Sequence, residues 1–87
     1  MTLALREGVF LAETEDGISL LDEDSGQYWN LNPTAAVIVR TLLEGGTPEQ
    51  AAVALTNEYR ADLDSASRDV QELLEALESA ALIRHKM

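Results

Sequence analysis

Eighty-seven residues, 46% of them hydrophobic and 25% charged, suit one small folded domain and leave no room for an enclosed active site. Sixteen acids against six bases give a net charge of −10, a surface that repels phosphate backbones and attracts basic partners. No run approaches the ~20 apolar residues that cross a bilayer, and Met1 to Arg6 lack a signal-peptide pattern. With no cysteine there is neither a disulfide framework nor a thiolate metal site, which is compatible with a cytoplasmic protein.

The first third reads as three short strands. Val9 to Glu13 and Ile18 to Asp22 flank Glu15-Asp16-Gly17, a turn in which Gly17 takes a positive φ cheaply. Asp24-Ser25-Gly26 makes a second turn into Gln27 to Leu31, rich in aromatics. Such short connections force an antiparallel meander, which needs cover on its apolar face. Asn32-Pro33 then provides a helix cap and a proline at the first helical position. Thr34 to Glu44 carries Ala35, Ile38, Val39, Leu42 and Leu43 on one stripe and stops at Gly45-Gly46. Thr47-Pro48-Glu49-Gln50 is a capping box opening a second helix, with Ala51, Ala52, Leu55 and Tyr59 at helical spacing. A polar link through Asp62 and Asp64 leads to a third helix, about Ser65 to Ala80, striped by Val70, Leu73, Leu74, Leu77 and Ala81. Leu82-Ile83 is expected to be buried and Arg84 to Met87 frayed.

The order β-β-β-α-α-α predicts an α+β fold, a three-stranded antiparallel β-meander followed by three α-helices, with winged helix-turn-helix architecture. The whole chain, 1–87, reads as one domain with its core in 8–83.

Catalytic chemistry is hard to find. His85 stands near the end, where a frayed tail gives no fixed geometry for a base or a metal ligand. Glu72, Glu75 and Glu78 fall on the polar side of a helix, and Asp22-Glu23-Asp24 lacks calcium-loop spacing. The chain is therefore expected not to be an enzyme and to need no cofactor or metal. Winged helix-turn-helix folds often bind DNA through the last helix. Here that helix sets Asp64, Asp69, Glu72, Glu75 and Glu78 against Arg68 alone, which predicts no nucleic-acid binding. Peptide binding fits better, because the edge of a small sheet offers unpaired N–H and C=O groups to which an extended peptide adds as a strand. Tyr28 and Trp29 must point to opposite faces. Either one is an outward anchor beside the edge, or Trp29 is core and Tyr28 a partly exposed cross-strand partner.

The pattern Gly26-x-Tyr28-x-x-Leu31-Asn32-x-Thr34-Ala35, continued by Gly46-Thr47, Tyr59, Asp69-Val70, Leu73-Leu74, Leu77 and Leu82-Ile83, resembles the PqqD-like family. Its members are precursor-peptide recognition elements of ribosomally made, modified peptides, and the resemblance covers about residues 8–83. In size and acidity the chain looks most like the stand-alone leader-binding protein of lasso-peptide pathways. Two positions depart from the pattern: Val39 where many members carry tryptophan, and Ala81 where glycine usually precedes the final Leu-Ile.

The resemblance implies that a precursor's leader lies antiparallel along Gln27, Tyr28, Trp29, Asn30 and Leu31, in a groove whose other wall is the third helix. Asp69, Val70, Leu73, Leu74 and Leu77 would form that wall, although Val70, Leu73 and Leu77 read equally well as core. Asp69 and Glu72 would meet leader lysine or arginine. The implied partners are the leader, a separate leader peptidase and a cyclase, with no membrane or nucleic acid. The alternative is a small structural or regulatory subunit that holds a partner enzyme in the same groove. A neighbouring precursor gene with a transglutaminase-like protease and an asparagine-synthetase-like cyclase would favour the first reading.

Overall fold

The structure, a computed structural model, describes residues 2–86. Strand β1 (Thr2–Leu5) precedes the meander β2 (Val9–Thr14), β3 (Gly17–Asp22) and β4 (Tyr28–Leu31). Helices α1 (Pro33–Leu43), α2 (Pro48–Tyr59) and α3 (Leu63–Ser79) follow, and β5 (Ile83–Lys86) closes the chain. The meander is antiparallel in the order β2-β3-β4, so the α+β layout is as the sequence predicts.

The termini differ from expectation. Residues 84–86 are not frayed but belong to β5, which pairs antiparallel with β1 so that Leu3 lies opposite His85 and Leu5 opposite Ile83. Neither strand carries a local signal, since each is four residues long and its partner comes from the other end of the chain. Met87 lies outside the described residues.

Local chemistry sets the element ends. Gly17 is required by a close approach: with φ at 145°, a Cβ there would sit 2.0 Å from the Leu31 carbonyl oxygen. Asn32 caps α1 by accepting from the Ala35 amide at 2.8 Å. Thr47 and Gln50 complete the capping box of α2 reciprocally, at 3.1 and 2.8 Å. Asp62 is the cap of α3, accepting from the Ser65 amide, so this helix starts two residues earlier than its apolar pattern suggests.

Helices α1 and α3 end alike, with paired main-chain bonds closing the last turn: Gly45 to Leu42 and Gly46 to Thr41, then Ala81 to Glu78 and Leu82 to Leu77. The residue in the left-handed position is Gly45 in the first case and Ala81, at φ 57°, in the second. Ala81 is thus exposed beyond the helix and not part of its apolar stripe. The conformation explains why glycine suits that position, since a Cβ there costs about 1–2 kcal/mol.

Two apolar clusters form the core. One joins the helices through Ile38, Leu42, Leu55, Val70 and Leu74, with Leu3 of β1. The other lies under the meander, where Val9, Ile18 and Leu20 meet Ala36 and Val39 of α1, Leu77 of α3 and Leu82. Val39 is only 2% exposed, so the smaller residue at a position often held by tryptophan is plain core.

Arg6 ties the ribbon of β1 and β5 to the meander. Its guanidinium meets Asp22 at 2.8 Å and Asp24 at 3.2 Å and also donates to the Ala81 carbonyl. Burial pushes the Asp22 carboxyl up, but hydrogen bonds from Arg6, the Asp24 amide and Ser25 outweigh it and hold the pKa below the ordinary aspartate value. The same carboxylates push the Arg6 pKa up.

Candidate functional site

β4 is an edge strand. It pairs with β3 in the register Ile18 with Leu31, Ser19 with Asn30, Leu20 with Trp29 and Leu21 with Tyr28, and nothing among the described residues pairs with its other side. The Asp22 amide donates to the Gln27 carbonyl at 2.9 Å, which fixes the alternation of the ladder. Gln27, Trp29 and Leu31 therefore turn their main-chain groups toward β3, and Tyr28 and Asn30 turn theirs to the open edge.

The side chains alternate the other way. Trp29 and Leu31 are half-buried and pack on the cluster beneath the sheet, whereas Tyr28 and Asn30 face solvent. The two readings of this pair thus resolve: Trp29 is on the core side and Tyr28 outward. Gln27 is exposed just before the strand.

Beside this edge lies a groove of about 260 Å³, lined by Asn32, Thr34, Ala35, Ile38, Asp69 and Leu73. Its floor is the first turns of α1, held by the Asn32 cap. Its far wall is α3, which presents Leu73 and, one turn earlier, Asp69. A second hollow of about 460 Å³ opens where β4 runs into α1, among Thr14, Asp16, Asn30, Leu31, Asn32 and Pro33. The two hollows share Asn32, and each has one acidic residue in its lining, Asp69 in the first and Asp16 in the second. Asp69 and Glu72 are exposed and form no ion pair among the described residues.

The expected residues of α3 separate. Leu73 is half-buried and reaches the groove while touching both core clusters. Val70, Leu74 and Leu77, at 1%, 9% and 4% exposure, are core and do not line the groove. Apolar stripes show which side of a helix is dry, but not which edge of the stripe stops short of the core. For the same reason the sequence missed Ala35 and Ile38, which read only as stripe positions, and Thr34. No group of three or more His, Cys, Asp or Glu side chains among the described residues is placed to hold a metal ion.

The family model described as coenzyme PQQ synthesis protein D (PqqD) matches residues 17–83. The chain belongs to the PqqD family. No curated protein matches this PqqD-family chain significantly. Two solved structures resemble it closely. One, described as lasso peptide synthetase B1 complexed with the leader peptide, is 39% identical, with a TM-score of 0.90 over 98% of this chain and 100% of that one. The other, described as TbiB1 in complex with the TbiA(β) leader peptide, is 29% identical, with a TM-score of 0.84 over 100% of this chain and 99% of that one. A PqqD-family fold with this groove offers main-chain pairing on one side and apolar contact on the other. No helix among the described residues is long and apolar enough to cross a membrane.

Proposed function

We propose that this PqqD-family protein binds the leader region of a ribosomally made precursor peptide, without catalysis of its own, in a lasso-type pathway. The observation that carries the reading is the bare edge of β4 running beside the groove between α1 and α3. An extended leader adds antiparallel to β4 and exchanges main-chain hydrogen bonds with Tyr28 and Asn30. Leader side chains opposite Trp29 and Leu31 point inward, over Ala35 and Ile38 and against Leu73. Asp69 and Glu72 stand where leader lysine or arginine would meet them, setting register and association rate. The likeness to two proteins solved with leader peptides supports the same reading.

Antiparallel addition sends the leader's C-terminal end out beside Gln27 and Tyr28. The precursor is thereby tethered for a separate leader peptidase and a cyclase, whose local substrate concentration rises. The protein acts in the cytoplasm, where precursor and enzymes meet.

Fluorescence polarisation with a labelled leader peptide tests this. Wild type is expected to bind at micromolar or lower concentration and Leu73→Arg not to bind, with native circular dichroism in both. Undiminished binding by the folded variant would remove the groove as the leader's seat.

A further inference from the structure

The joint between β4 and α1 carries polar groups that the fold leaves free. Asn32 follows the last residue of β4 with its backbone still extended, φ −68° and ψ 171°, and caps α1. Its main-chain carbonyl accepts from the Ala36 amide at 2.9 Å, and its side-chain oxygen accepts from the Ala35 amide at 2.8 Å. A main-chain N–H only donates, so the atom facing Ala35 is the oxygen and the side-chain NH2 is left over. Neither that NH2 nor the Asn32 main-chain amide donates to any protein group among the described residues. Asn32 is exposed, and it borders both hollows beside the strand edge.

The surroundings aim these donors, and here the inference rests on the leader-binding reading. On the β3 side the joint is closed, since a Cβ at Gly17 would lie 2.0 Å from the Leu31 carbonyl oxygen and 3.0 Å from the Asn32 carbonyl carbon. The other side is the edge to which Tyr28 and Asn30 turn their main-chain groups, and Asn32 is next in that alternation. An antiparallel leader whose C-terminal end leaves beside Tyr28 has its N-terminal flank at this joint. Here the edge offers donors only, because the Asn32 carbonyl belongs to the helix. The matching group is an acceptor, and an extended chain carries one at every residue, its main-chain carbonyl.

We propose that Asn32 is a third rung of leader pairing beyond the end of β4, donating from its main-chain amide and its side-chain NH2 to main-chain carbonyls of the leader's N-terminal flank. Asn32→Asp separates this role from capping, because aspartate caps a helix as well as asparagine does but puts an acceptor where the NH2 stood. Fluorescence polarisation with a labelled leader is expected to show binding by Asn32→Asp weakened about tenfold, with the melting temperature of wild type. Asn32→Ser, which also caps but lacks the NH2, is expected to bind about threefold more weakly, and it carries the test if Asn32→Asp fails to fold. Leaders shortened residue by residue from the N-terminus locate the contact. The gap between wild type and variant is expected to close once the flank no longer reaches Asn32. A folded variant that binds the full leader within twofold of wild type overturns the proposal. So does a gap that persists on the shortest leader that binds, which would place the effect in the groove floor. Absence of leader binding by the wild type would overturn the strand-addition reading and this rung together, whereas equal binding by wild type and both variants removes the rung alone.

Discussion

The open edge of β4 and the wall that α3 gives the neighbouring groove would offer an incoming chain different things. β4 presents the main-chain groups of Tyr28 and Asn30, which can pair with any extended sequence and so supply affinity without choosing among sequences. α3 presents side chains, the apolar Leu73 and the exposed carboxylates of Asp69 and Glu72, which on the proposed reading would tell one sequence from another. On the proposed reading, a strand-added peptide would be held by the strand edge and selected by the helix.

The sharpest way to break this comparison uses two residues one turn apart on α3. Leu77 is core, and Leu77→Ala is expected to lower unfolding stability by about 2–5 kcal/mol, read by chemical denaturation. Leu73 borders the groove, and Leu73→Arg is expected to weaken leader binding by roughly 30-fold or more while the fold persists. Equal losses of stability in the two variants would make Leu73 a core residue and empty the wall of its selective role.

Smaller effects belong to β4 and the rim. Leader peptides methylated at the amide aimed at Tyr28 or Asn30 are expected to bind up to about tenfold more weakly, since each loses a hydrogen bond worth about 0.5–1.5 kcal/mol. Methylation of the amides between them, which point away from β4, should cost much less, and an indifferent pattern would speak against strand addition. Asp69→Asn with Glu72→Gln is expected to slow association severalfold and flatten its salt dependence with little change in dissociation, measured by surface plasmon resonance.

Acid separates paired carboxylates from unpaired ones. Asp22 accepts from the Gly26 amide through its carbonyl and from Arg6 and Asp24 through its carboxylate, fixing the turn that delivers β4. Its folded pKa lies below the ordinary 3.8, so its stabilisation is complete above that value and is lost as pH falls through the lower folded one. Asp22→Asn is expected to lack this component of acid unfolding, followed by circular dichroism between about pH 5 and 2. An unchanged acid transition would show that the Arg6 clamp does not govern it.

Much of this architecture is written locally. The Asn32-Pro33 start, the Thr47 and Gln50 box, the Gly45 stop and the striped third helix each act within a turn or two of chain, and a reader of residues finds them. β1 and β5 escaped because a strand of four mixed residues has meaning only beside its partner. Arg84, His85 and Lys86 look like a solvated tail until Leu3 is brought opposite them.

By itself, then, the sequence determined the meander, the three helices, their caps and the net acidity, because those are set by composition and by neighbouring residues. Tertiary structure alone decided that Leu73 and not Val70, Leu74 or Leu77 borders the groove, that Ala35 and Ile38 make its floor, and that the two ends of the chain pair. A periodic pattern gives the dry side of an element. Which part of that side the rest of the protein leaves uncovered depends on how the elements cross.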